Sequence, residues 1–428
     1  MAIRKSLKLT LPATSRPVFA SAPAAVTILL AAIAFMPRVA LAGKCTPAIP
    51  QSGDVLIAGG GDASSNPSKV LEFFDPSSGT FSNACALKTA RDEPFAVVVQ
   101  SGHLANQILI VGGETSKKGK LSHPKTSESY NPSTGKIAKG PKLPSGIEDA
   151  AEVELGNGMA MFAGGAPNET SGFETPSNLA VLFNPASGRF VKVTGTMAAP
   201  REYLSGAPIS CACADNGKAL IVGGANDNGV LSDAEIFDPA SMTFTSITGM
   251  NAAREFPAVT ALSDGTILIS GGNDPNGESL NTAEIYDPAT RTFTLTTALK
   301  GSGTDMNSSR VLQTSTLLND GTVLIAGGEQ DSAFVAVDYL KSAEIYDPAT
   351  AKFTAAAHLM VNTRSNHSAT LIANSGTALD GQVLIAGGMN NAGVLSDAEV
   401  FNPAGETFTA TAGSMRAPHE QHAAALIP

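Results

Sequence analysis

The sequence is short of several things. It has no tryptophan, only five tyrosines, four cysteines and six histidines, and charged residues make up 15% of its 428 positions. Lysine and arginine total 28 against 38 aspartates and glutamates, a formal charge of −10. That balance argues against nucleic acid or anionic membrane as a partner, since both reward clustered basic groups. No apolar run is long enough to cross a bilayer: Ala24 to Met36 offers about 13 residues where roughly 20 are needed. There is no helical periodicity of any length, and no GxSxG, HExxH or phosphate-binding glycine loop. No catalytic residue, resident metal or cofactor is therefore expected.

The apolar run reads instead as part of a leader. Arg4, Lys5, Lys8 and Arg16 precede it, and Ala40-Leu41-Ala42 has the small-x-small pattern of a cleavage site, so residues 1–42 are expected to be a secretory signal and 43–428 the mature domain. Removing that leader takes away five basic residues and no acidic one, which moves the formal charge from −10 to −15. A secreted or periplasmic, monomeric protein without stable membrane insertion is expected. Export permits disulfides. Cys45 lies just before the first of the repeats described next and Cys85 at its end, so a Cys45–Cys85 bridge is the preferred pairing, whereas Cys211 and Cys213 are either a bridge or two thiols.

What the sequence has in quantity is repetition. AEIYDPATRTFT, from Ala283, recurs as AEIYDPATAKFT from Ala343, with looser copies starting at Leu71, Ser127, Ala180, Ala234 and Ala398. Each of the seven copies follows an apolar run closed by two glycines, as in VLIAGG at Val55, Val323 and Val383. Short unbroken Val/Ile runs indicate strands covered on both faces. The DP or NP that follows the second strand is a turn signal, because Asp or Asn opens the turn and Pro fixes φ. Asn157-Gly158, Asn216-Gly217, Asp264-Gly265, Asp320-Gly321 and Asp380-Gly381 predict tight hairpins, favouring type I′. Four antiparallel strands per repeat follow, with double glycines spaced by 48 to 60 residues.

These motifs resemble the kelch repeat, whose period is about 50 residues. The resemblance covers nearly all of 43–428 and implies an all-β, seven-bladed β-propeller of four-stranded blades. The aromatic of the third strand, often Trp in kelch repeats, is Phe here, or Ile137 in the second copy. The first copy lacks a preceding strand and the last segment, HAAALIP, lacks what should follow, so the C-terminal strand is expected to complete blade 1.

A second periodicity precedes the innermost strands. A Met or Leu is followed four residues on by Arg91, Arg201, Arg254, Arg310 and Arg364; Ile147 takes that place in the second junction, and His419, with Arg416 displaced, in the last. Strand direction puts these residues on the same rim as the loops after the double glycines, which carry Glu114, Asp227, Asp274 and Glu329. Two expectations compete here. The arginines and acids form a binding surface for a carbohydrate or an extracellular protein, or each Arg pins its own loop to a nearby carboxylate. The loops Ala166–Asn178 and Glu329–Lys341 are the asymmetric features.

Resemblance to the secreted kelch-type copper radical oxidases implies a Cys–Tyr pair, a second Tyr beside a His, and a further His. No Tyr-His pair exists here, so a copper oxidase is not expected. A non-metal enzyme acting on a sugar through Arg and Glu, as resemblance to the secreted kelch epimerases implies, is the alternative to a binding module. His103, His123, His358, His367, His419 and His422 read as scattered surface residues, and Asn226 to Gly229 as plain turn chemistry.

Overall fold

The computed structural model describes residues 48–428, apart from 118, 119, 168, 171 and 172, and apart from the side chains of 117–119 and 168–174. The expected leader and Cys45 lie outside the described residues. Among these residues, seven four-stranded antiparallel sheets follow one another along the chain. Blade 5 shows the pattern: Ala258–Ala261, Ile267–Ser270, Ala283–Asp287 and Thr292–Leu295 run from the centre outward. Blade 1 is completed by the C-terminus. Ala423–Leu426 is its innermost strand and pairs antiparallel with Val55–Ala58, in the register Val55↔Leu426. The ring thus closes by pairing the two ends of the domain, so that Val55–Ala58 is not left as an edge strand.

The double-sided burial of the Val/Ile runs has a direct cause. Ile108–Val111, Ala219–Val222 and Val323–Ala326 are wholly buried, because each blade packs both faces on its neighbours. The seven apolar clusters among the described residues each combine residues of two adjacent blades, including Leu56 and Ile108 at one junction and Ile57 and Leu384 at another. The third-strand phenylalanines stand opposite an aromatic of the second strand in register. Phe237–Phe244, Tyr286–Phe293 and Phe401–Phe408 have ring centroids 4.8–5.0 Å apart. Phenylalanine fills this slot without bringing a polar atom that burial would leave wanting a partner.

The turns obey the side-chain chemistry of their first residue. In six of the seven DP and NP turns, Asn131 excepted, the Asp or Asn Oδ1 accepts the backbone N–H two residues on, at 2.7 Å for Asp75 and 2.8 Å for Asp287. The Asn-Gly and Asp-Gly hairpins differ from the type I′ expectation. Only the glycine has positive φ, Gly265 N donates to Leu262 O at 3.0 Å, and Leu262 N donates to Thr266 O at 2.8 Å. Asp264 Oδ1 also accepts from Thr266 N at 2.9 Å, which holds the Asp in the right-handed region and makes a type I turn with a glycine bulge. Cys211 and Cys213 are joined in a disulfide with Cα atoms 5.2 Å apart.

Candidate functional site

At each blade junction the double glycine and the residue in the arginine position build one clamp. The carbonyl of that residue accepts from the N–H of the second glycine in the preceding blade at 2.8–3.0 Å, from Arg91 O and Gly60 N round to His419 O and Gly388 N. A Cβ on the first glycine would lie 2.4–2.8 Å from the same oxygen, and all fourteen glycines have positive φ. Close approach and left-handed backbone together require glycine there.

The arginine side chains turn away from the rim into their own blade. Arg91, Arg201, Arg254, Arg310 and Arg364 are 0% exposed. Nη1 of each donates to the carbonyl of the first glycine of that blade at 2.5–3.1 Å. The charge meets the Glu of the AEIY-type strand: Arg254–Glu284 3.2 Å, Arg310–Glu344 2.7 Å and Arg364–Glu399 2.9 Å. The same carboxylates accept N–H groups from the loop ahead of the arginine, as Glu344 does from Asn307 at 2.8 Å and Ser308 at 3.1 Å. Burial lowers the pKa of Arg254 and Arg310, and the paired glutamate opposes that shift. These five arginines are thus not open to a rim ligand, and loop pinning is the role their geometry serves. Arg416 is exposed, while its backbone N–H reaches Glu72 at 3.0 Å. His419, 0% exposed, takes the arginine's place beside Glu72. In blade 3 the pair is replaced on both sides, with Ile147 for the arginine and Val181 for the glutamate, in one apolar cluster.

Two further residues follow each arginine position at the blade junctions. The first is acidic in five blades: Asp92, Glu148, Glu202, Glu255 and Glu420. It pairs with the residue after the double glycine, as Asp92 does with Glu114, so the two sets of loops share a face. Asp92 is pushed up to about 8 by burial, then by Glu93, Glu420 and Glu114. The second residue, namely Glu93, Asp149, Tyr203, Phe256, Leu312, Asn366 or Gln421, holds φ between 49° and 58° in every blade. Backbone bonds link several of these from blade to blade, with Tyr203 N to Asp149 O at 3.1 Å, Phe256 N to Tyr203 O at 2.8 Å and Gln421 N to Asn366 O at 2.9 Å. Non-glycine residues held there carry strain that recurs at ligand-facing positions. The rings of Tyr203 and Phe256 stack with centroids 4.3 Å apart.

A cavity of about 250 Å³ lies against the innermost strands of blades 3 to 6. Its lining includes Glu152, Ser205, Gln313 and Ser315, among Leu204, Pro257 and small residues. Oε1 of Glu152 and Oε1 of Gln313 are buried without a hydrogen-bond partner. Gln313 Nε2 is occupied by Ser270 O at 3.0 Å, and Ser205 Oγ donates to Pro257 O at 2.7 Å. Burial, then Glu154, pushes the Glu152 carboxyl up to about 8.

The other predicted site residues are dispersed. Asp227 is exposed, Asp274 caps its own turn through Asn276 N at 2.7 Å, and Glu329, 4% exposed, accepts from Ser365 Oγ at 2.7 Å. His367, His419 and His422 are buried, contrary to the surface expectation, because the segments that lead into the inner strands Ser368–Leu371 and Ala423–Leu426 pack at the junctions with neighbouring blades. His367 Nε2 bonds Thr314 Oγ1 at 3.0 Å and His422 Nε2 bonds Ser368 Oγ at 2.8 Å, each across a blade junction. Sequence reasoning missed Glu152, Gln313 and the positive-φ residues. It could have found the Arg–Glu clasp, since the two residue types vanish together in the third repeat.

Fold and clamp define a class: a seven-bladed β-propeller closed by its C-terminal strand. Residues 256–298 match the family described as Kelch motif. The motif match and the blades together make the chain a kelch-repeat β-propeller. The solved structure of YjhT is similar, with a TM-score of 0.54 and 13% identity, covering 75% of this chain and 97% of that one. A fungal alcohol oxidase of the AA5 family, solved in complex with copper, has a TM-score of 0.55 and 16% identity, covering 76% of this chain and 65% of the oxidase. At these identities the likeness is one of fold. Among the described residues, Tyr130, Tyr286 and Tyr346 are buried within blades and Tyr203 stacks on Phe256.

Proposed function

We propose that this propeller is a binding module for a small hydroxyl-rich ligand of the carbohydrate class, taken at the central cavity. The observation that carries the reading is the polarity of the lining. Glu152 and Gln313 present oxygens that accept, the serines present hydroxyls, and no cationic side chain is present among the lining residues. Such a wall rewards a ligand that brings donors and penalises an anion, because buried acceptors gain most from a partner. About 250 Å³ is below the range of drug-sized pockets and suits one small molecule. The half-buried Tyr203 and Phe256, next in sequence to lining residues Leu204 and Pro257, add apolar faces beside it. Export of the protein, read from residues 1–42, belongs to the same proposal.

A second reading, an enzyme acting on a sugar, is favoured by one feature. Glu152, raised to about 8, is a carboxyl able to give up a proton near neutral pH. The test is ligand-observed NMR of the purified protein against neutral monosaccharides, polyols and uronic acids, with turnover assayed on every hit. Neutral sugars should bind, uronic acids should not, and Glu152→Gln should weaken binding at least tenfold. Failure of all neutral sugars and polyols, or unchanged affinity in Glu152→Gln, would overturn the proposal and turn attention to a protein partner.

A further inference from the structure

We propose that Glu114, His123 and Glu148 form a binding site for a divalent ion of the zinc type on the rim between blades 2 and 3. The site is independent of the channel ligand. One donor atom from each of the three lies within 4.8 Å of the other two. His123 Nε2 already contacts Glu148 Oε2, and the two side chains are 3% and 4% exposed. In a tetrahedral zinc site with bonds near 2.0–2.2 Å, donors stand roughly 3.3 Å apart, so shifts of about an ångström would close these three on one ion. One imidazole with two carboxylates leaves a fourth position for water, and the imidazole favours zinc over calcium or magnesium.

The backbone holds the ligands in place before any ion arrives. Gly113 N donates to Ile147 O at 2.8 Å, which brings the residues next to both, Glu114 and Glu148, together across the junction. Glu114 is fixed by its two-way pairing with Asp92 at 2.8 Å, and Glu148 O accepts from Ala166 N at 2.9 Å. Gly146 leaves room for the imidazole: a Cβ there would lie 2.6 Å from His123 Cβ and 2.8 Å from Pro167 O.

Charge singles out this junction. Five junctions carry a buried arginine at this point, whereas here the position is Ile147 and two carboxylates stand beside it. A divalent ion would neutralise both carboxylates and tie the Glu114–His123 hairpin of blade 2 to blade 3 through side chains, in addition to the backbone bond from Gly113 N to Ile147 O. Binding requires neutral imidazole and ionised carboxylates, so it should weaken as pH falls.

The experiment is equilibrium dialysis of the purified protein against Zn²⁺ at pH 7.5, followed by metal analysis, and a parallel titration with Co²⁺ read by its visible absorption. One equivalent of Zn²⁺ should be retained, with a thermal midpoint raised by a few degrees, and Co²⁺ should give the intense bands of a tetrahedral site. His123→Ala and the isosteric Glu148→Gln should each abolish retention and the bands, while His358→Ala, at an exposed histidine, should keep both. No retained zinc in a folded wild type, or equal retention by His123→Ala, overturns the proposal. If His123→Ala fails to fold, Glu114→Gln with the Co²⁺ spectrum decides.

Discussion

At the residue scale the central fact is a buried arginine–glutamate pair written five times, replaced once by a histidine–glutamate contact and erased once. A guanidinium, or the imidazole of His419, faces a glutamate in six blades, and Ile147 with Val181 fills the same space in the seventh. Two charges withdrawn from water repay their desolvation only when both stay, whereas an apolar pair of similar volume is often neutral. Arg310→Met alone should therefore destabilise by about 3–5 kcal/mol, because it strands Glu344 in the blade. Arg310→Ile combined with Glu344→Val, copying blade 3, should recover most of that loss in chemical unfolding. A double variant as unstable as the sum of its singles would show that the carboxylate's bonds to Asn307 and Ser308, and not the ion pair, hold the loop.

At the element scale the decisive strand is Ala423–Leu426. It supplies the inner edge of blade 1, and Ile427 adds its N–H to Asp54 O at 2.7 Å. It also seats His422 against blade 7 through Ser368. Deleting residues 422–428 should open the ring, expose the edge of Val55–Ala58 and abolish a single cooperative thermal transition, together with a tendency to self-associate through that edge. Retention of the full melting temperature by the truncated protein would mean that blade 1 stands on three strands.

At the scale of the whole molecule, the closed ring buries titratable groups that pull stability in opposite directions with pH. His422 is pushed down to about 3 by burial, with His419 and Arg364 adding to it, and burial likewise drives His367 well below its usual value. The unfolded chain binds protons at these histidines from about pH 6.5 downward while the folded one does not, so stability is lost as pH falls below 6.5, at about 1.4 kcal/mol per unit for each. Glu152 acts in reverse. Its folded value near 8 lies above the unfolded 4.5, so its contribution is full below 4.5 and lost as pH rises toward 8. Thermal midpoints should peak near pH 6.5. His422→Gln should flatten the acid limb and Glu152→Gln should lessen the alkaline one, which Asp92, also raised to about 8, shares, and an unchanged profile in both would place these groups in contact with water.

Repeat number, strand order and closure by the last strand were legible because each is a local pattern copied along the chain. VLIAGG and AEIYDP state burial, turn chemistry and register within a few residues. The direction of the arginines was legible only as two alternatives, since nearness to a rim does not say whether a side chain leaves or enters the blade. The arginine's glutamate partner lies 30–37 positions further on and is buried with it. The cavity around Glu152 and Gln313, and the meeting of Glu114 and His123 with Glu148, exist only in the closed ring. They join residues of different blades whose neighbourhood is set by the packing of whole sheets, and no local pattern encodes that distance.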